Sequence, residues 1–319
     1  MKLNYTPLLR QFEIHPHFFT IFVFFIINSM AKIELSAYPD LQTLLERVKQ
    51  IRHVALDMDG TIYKGGTLFP FTVPFLSRLK EMGVGYSFLT NNPSKSTADY
   101  LKHLQKMGLS ATPEELYTSA QATITCLKTH FPHATRLFIL GTPSMIEEFE
   151  KANYVSTSDD ASDEPDAVVV GFDMTLAYPR LCRAAWWIHR GKRYVATNPD
   201  WVCPTDQPTI LVDCGSICAM LEKATGRKPD VTLGKPQPEM LDGILTTHHL
   251  QPFEVAMVGD RIYTDMMMAH RAGAFGALVL SGEATLADAQ KADPKPDVTL
   301  LSIEQLGELF AEASKKRET

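Results

Sequence analysis

From Arg52 onward, short apolar runs alternate with longer amphipathic stretches, the pattern of parallel strands joined by crossover helices. It predicts an α/β fold built on a doubly wound parallel sheet. The run His53-Val54-Ala55-Leu56 stops at Asp57-Met58-Asp59-Gly60-Thr61, where Gly60 permits a sharp turn. A second run, Gly85 to Leu89, stops at Thr90-Asn91-Asn92-Pro93 and feeds a helix from about Ser96. A third, Val255 to Val258, stops at Gly259-Asp260-Arg261, and Asp265 opens a helical stretch through Ala272. Ligands of open parallel sheets sit outside the carboxyl ends of the strands, so three polar clusters at three such ends predict one shared site.

Between these parts, 119–230 carries strands of its own at Leu137–Leu140, Ala167–Val170 and Tyr194–Ala196, enough for an inserted α/β domain; the main domain is then 31–118 together with 231–319. The acidic stretch Ser156 to Asp166 reads as a solvated loop. Near the start, Phe18 to Ile27 is apolar except for Thr20, follows Lys2 and Arg10, and is too short to span a bilayer. The cleavage site expected of a secretory signal is poor, so Met30 reads as the initiator and 1–30 as a mis-called extension, with a targeting segment as the alternative.

Composition narrows the partners. With 45% hydrophobic residues the 319-residue chain can bury a full core, and its formal net charge of −6 offers no basic surface for a nucleic-acid polymer. A small metabolite fits better; a membrane partner is not expected, and a homodimer is left open. Cys126, Cys182, Cys203, Cys214 and Cys218 follow no paired zinc-ligand spacing, which suits free thiols in a reducing, cytoplasmic compartment. The chain has neither a P-loop nor a dinucleotide fingerprint.

The strand-end residues suit phosphoryl transfer. Asp57 can take a phosphoryl group as an acyl phosphate, dividing one slow hydrolysis into two steps, and Asp59, two residues on, can protonate the departing alkoxide and then activate water. A carboxylate and a phosphate dianion repel one another, so a cation is needed, and Mg2+ suits an all-oxygen shell. The candidate ligands are Asp57, the Met58 carbonyl, Asp59, Asp260 and Asp265; Asp265 reads equally as a helix-start carboxylate. Lys235, between Gly234 and Pro236, adds a fixed positive charge, while the Thr90 hydroxyl and the amides near Asn91 can hold phosphate oxygens.

Asp57-Met58-Asp59-Gly60-Thr61, Thr90-Asn91-Asn92, Gly234-Lys235-Pro236 and Gly259-Asp260 through Thr264-Asp265 resemble the four ordered motifs of the haloacid dehalogenase superfamily. Ala196-Thr197-Asn198-Pro199-Asp200 and Glu222-Lys223-Ala224-Thr225-Gly226-Arg227 resemble its NagD-like phosphatases. The resemblance runs from about Ile51 to Leu306. It implies Asp57 as nucleophile, Asp59 as acid/base, Thr90 and Asn91 as phosphate binders, Lys235 as charge balance, Asp260 as metal ligand, and an inserted cap that closes over the site. Gly60 and Asn92 join the phosphate contacts, and Asp173, Asn198 and Asp200 are the substrate contacts expected from the cap. The expected activity is Mg2+-dependent hydrolysis of a small phosphorylated metabolite, such as a sugar phosphate or a nucleoside monophosphate. A phosphotransferase or mutase on the same intermediate, and a non-catalytic phosphometabolite-binding protein, are the competing readings.

Overall fold

The computed structural model describes residues 38–205 and 207–315, so the readings made for 1–30 lie outside the described residues. Strand β1 (His53–Asp57) leads to a short hairpin, β2 (Tyr63–Lys64) with β3 (Thr67–Leu68), and then to β4 (Gly85–Thr90) and β5 (Leu116–Thr118). Next come β6 (Arg136–Leu140), β7 (Val155–Ser156), β8 (Ala167–Val170) and β9 (Arg193–Ala196). A second hairpin of β10 (Val202–Cys203) with β11 (Leu211–Val212) follows, then β12 (Val231–Thr232). The chain closes with β13 (Val255–Gly259), β14 (Phe275–Val279) and β15 (Val298–Leu300).

The strands form two parallel sheets, ordered β15-β14-β13-β1-β4-β5 and β12-β9-β8-β6-β7. Both are covered on both faces, which is why their strands read as continuous apolar runs rather than alternating ones. In the first sheet, Val54 and Leu56 share a core with Phe88, Val258 and the helices Leu41–Val48 and Ile303–Lys315, while Ala55 packs with Leu89, Met257 and Ile244 on the other side. In the second, Phe138, Leu140, Val168 and Val170 meet Trp187, Ile217 and Leu221, and Leu137, Ile139 and Val169 meet Leu127, Met145 and Phe149. β12 pairs with β9, so the second sheet extends through Thr232, two residues beyond the 119–230 block.

Three features position the site. The neighbours of β1 are β13 on one side and β4 on the other, so the chain leaves it in both directions and opens a crevice at its carboxyl end. The helix Ser119–His130, fixed at its start by a reciprocal Thr118–Gln121 capping box, belongs to both units: Ala122 packs in the first core, and Ala120, Ile124 and Leu127 pack in the second. At the opposite end of β1, His53 is buried, shares a 2.9 Å hydrogen bond with Ser87 and lies 4.4 Å from the His248 ring. Among the described residues, no helix is long and apolar enough to cross a membrane.

Candidate active site

Asp57 ends β1 and lines a cleft of about 590 Å³. The turn after it folds back on itself, with Gly60 N–H donating to the Tyr63 carbonyl at 2.7 Å and Ile62 N–H donating to the Met58 carbonyl at 3.0 Å. The Met58 carbonyl also accepts from Thr61 and Tyr63, both at 3.3 Å, so the turn occupies the oxygen that the sequence offered to a metal. Gly60 has φ +84°, and a Cβ there would stand 2.3 Å from Asp260 Oδ2. Its role is close approach beneath Asp260, and it does not line the cleft where a phosphate contact was expected.

Asp57, Asp260 and Asp265 come together, each offering an oxygen within 4.8 Å of the others. Asp265 sits in a five-residue π turn, Ile262–Met266, in which Met266 N–H bonds back to the Arg261 carbonyl at 3.2 Å; this wide turn, rather than a helix start, directs the carboxylate inward. Lys235, 4% exposed, puts Nζ against Asp57 Oδ1 and 2.7 Å from Asp265 Oδ1. Burial opposes the lysine's charge, but Asp265 and Asp57 outweigh it and hold Lys235 above the usual lysine range. Burial first and Asp57 second push Asp260 up to about 7, and burial also raises Asp265 to about 6 against the pull of Lys235. Lys235 thus pairs with two of the three carboxylates. Asp260 Oδ1 is buried without a hydrogen-bond donor, and the three residues offer only oxygen ligands, so the cluster fits a hard divalent cation such as Mg2+. Asp59 lies outside this cluster. It is exposed on the cleft wall, and partial burial followed by the charge of Asp57 raises its carboxyl.

Thr90, Asn91 and Asn92 line the cleft as expected, but the two asparagine side chains are committed to other partners. Asn91 Nδ2 donates to Asp200 Oδ2 and to the Lys235 carbonyl, both at 3.0 Å, and Oδ1 accepts from Lys235 N–H at 2.6 Å. The Asn91 carbonyl accepts from Ser119 and from Asn198 Nδ2, so one residue ties the tip of β4, the lysine loop and the inserted unit together. Asn92 Oδ1 accepts from Ser94 N–H, and Nδ2 points at Cys203 Sγ, 3.6 Å away. Asp200 reaches the cleft, whereas Asn198 is fully buried and serves as a strut. Asp173 is away from the cleft, its Oδ1 accepting from the backbone and hydroxyl of Thr175; its neighbours Phe172 and Met174 are on the wall instead.

Sequence reasoning missed Arg261, Asp213, Tyr63 and Tyr100 on the cleft. Arg261 directly follows Asp260 and could have been found from that position. Asp213 caps the helix Cys214–Thr225, and nothing in its letters separates a cap from a cleft residue.

Two family descriptions match the chain: Haloacid dehalogenase-like hydrolase over 54–155 and HAD-hydrolase-like over 232–306. The ribonucleotide monophosphatase NagD of Escherichia coli is 30% identical over 256 residues, 80% of this chain and 98% of that protein. The acid sugar phosphatase of Staphylococcus aureus is 31% identical over 84% of this chain and all of its own length (100%). Among solved structures, the 4-nitrophenylphosphatase of Thermotoga maritima superposes with a TM-score of 0.77 at 38% identity, covering 82% of this chain and 98% of its own. The glycerol phosphate phosphatase of Mycobacterium tuberculosis, solved with magnesium, gives 0.75 at 31% identity over 82% of this chain and 78% of its own.

Proposed function

The chain belongs to the haloacid dehalogenase-like hydrolases as a NagD-like phosphatase of phosphate monoesters, and on that premise we propose that it hydrolyses small esters with magnesium through an aspartyl-phosphate on Asp57. The observation that carries this reading is Asp57 at a strand tip, touching Lys235 and adjoining Asp260 and Asp265. In the first step a carboxylate oxygen of Asp57 attacks phosphorus in line while the bond to the leaving oxygen breaks, and Asp59 gives that oxygen its proton. Asp59 then takes a proton from water as the water oxygen attacks phosphorus; the bond to Asp57 breaks and phosphate leaves with the carboxylate restored. Lys235 stays charged beside Asp57 throughout, which limits repulsion between the nucleophile and the ester dianion. Magnesium held by Asp57, Asp260 and Asp265 would supply further positive charge against the transferring group.

The inserted unit, 119–230 with its edge strand β12, acts as the cap. The bond from Asn91 to Asp200 supports this role, because it holds a residue of the inserted unit on the cleft lining. The relatives' names cover nucleotide, sugar and glycerol phosphates, which supports compact monoesters as the substrate class. Phosphate release from a panel of such esters, with magnesium or with chelator, tests the reading. Asp57→Asn should lose at least about 10³-fold in kcat with the fold intact, and chelation should silence the wild type. Release that survives the substitution would sink the aspartyl-phosphate route.

A further inference from the structure

The ion pairs of the cleft go to Lys235 and Arg261. Two more lysines and a histidine line the same cleft, Lys64, Lys95 and His103, and none of them is in an ion pair among the described residues. In a chain of net charge −6, two lysines and a hydrogen-bonding imidazole on one cleft run against the overall balance. Lys95 and His103 are also held in place. Lys95 Nζ stands 5.6 Å from the centre of the Tyr100 ring, and Tyr100 is anchored by its hydroxyl to the Asn92 carbonyl at 2.9 Å. An aromatic face holds an ammonium without neutralising it, which reduces the ordering cost when an anion arrives. His103 meets the buried Tyr63 ring edge-on at 5.8 Å, and burial followed by the fields of Lys95 and Lys106 lowers its pKa, with no carboxylate acting on it. Most cleft carboxylates are engaged elsewhere: Asp57 with Lys235, Asp200 with Asn91, and Asp213 with Asn198 and the Cys214 amide. Asp59 feels both Lys64 and Arg261.

We propose that Lys64, Lys95 and His103 form a subsite for a second anionic group on the substrate, a carboxylate or a second phosphate carried by the leaving group. The inference rests on the phosphatase reading and narrows its substrate class to esters with a negatively charged tail. The scissile phosphate goes to Asp57, Thr90 and Lys235, and the tail lies against the wall made by the helix Thr97–Lys106 and the β2–β3 hairpin.

The test compares kcat/KM on matched esters: glycerol 3-phosphate with its neutral tail, 3-phosphoglycerate with a carboxylate, and fructose 1-phosphate against fructose 1,6-bisphosphate. An anionic tail is expected to raise kcat/KM at least tenfold, mostly through KM. Lys95→Met and His103→Gln are expected to shrink that preference at least fivefold, lowering turnover of the charged-tail ester far more than that of its neutral match. A gain with only one of the two tail types identifies the anion and upholds the subsite. Equal or better turnover of neutral-tailed esters, or variants that lower every ester in proportion, overturns it. Dissociation constants of the same esters on Asp57→Asn are read in parallel. If the wild type releases no phosphate even from 4-nitrophenyl phosphate, the phosphatase reading fails, and the subsite then stands or falls on the binding preference alone.

Discussion

At the scale of single residues, surroundings decide what a carboxylate does. Asp213 is 2% exposed, and burial first, with Asp200 adding to it, pushes its carboxyl up to about 7. A raised carboxyl stabilises the fold while protonated; that contribution is complete below the unfolded value of 3.8 and is lost as pH rises through 7. Asp213→Asn keeps the acceptor that caps the helix, so it should be more stable than the parent at pH 8 by roughly 2–4 kcal/mol and little different at pH 4. Urea midpoints at the two pH values check this, and no gain at pH 8 would mean the carboxylate is well solvated. Gly60→Ala would force a Cβ to 2.3 Å from Asp260 Oδ2, and kcat should fall about 100-fold with unchanged circular dichroism, because displacements near 1 Å carry costs of that order. The meeting of Asp57, Lys235 and Asp260 was legible because each stands at a strand tip or tight turn in an ordered set of motifs, whereas Asp265 read equally as a helix-start carboxylate. Asn198 and Asp173 lie off the cleft where ligand contacts were expected, since an amide or carboxylate facing a neighbouring loop has the same letter as one facing a substrate.

Among the elements, β1, β4, β6, β8, β9 and β13 were legible, since burial on two faces leaves an uninterrupted apolar run, whereas β14 was not singled out. The two-residue strands β2, β3, β7, β10, β11 and β12 were not, because two positions carry no periodicity. The π turn at Ile262–Met266 was equally silent: it differs from a helix start only in which carbonyl each amide selects. β1 carries a cost at its amino end. Burial, with His248 adding to it, lowers His53 to about 3, so the folded state holds it neutral while the unfolded chain takes up a proton near 6.5. Its contribution is fully present above the unfolded value and is lost as pH falls toward 3. Between pH 7 and pH 4 the wild type should lose roughly 2–3 kcal/mol more than His53→Gln, as measured by denaturant titration at each pH. Parallel slopes for the two proteins would show that the ring can be protonated in place.

Over the whole molecule, the two units share the helix Ser119–His130, and the polar contacts between them include Asn91 with Ser119, Asp200 and Asn198, Thr97 with Glu148, Thr142 with the Ser94 carbonyl, and Asn92 with Cys203. If the cap must open to release product, fastening the last of these should slow turnover. In Asn92→Cys the new thiol faces the native Cys203, so mild oxidation should lower kcat at least tenfold relative to the same variant kept reduced, and dithiothreitol should restore it. Equal rates in the two states would argue for a cap that need not move.

The return path of the chain adds a constraint of another kind. After β12 only Leu233 and Gly234 intervene before Lys235, and Gly234, at φ +79°, lies so close to Asn198 and Asn91 that a Cβ there would sit 2.9 Å from the Asn198 Cβ. The inserted unit and the lysine that pairs with Asp57 therefore hang on one short tether. A cap transplanted from a relative would work only if its final strand hands over to the lysine at the same place.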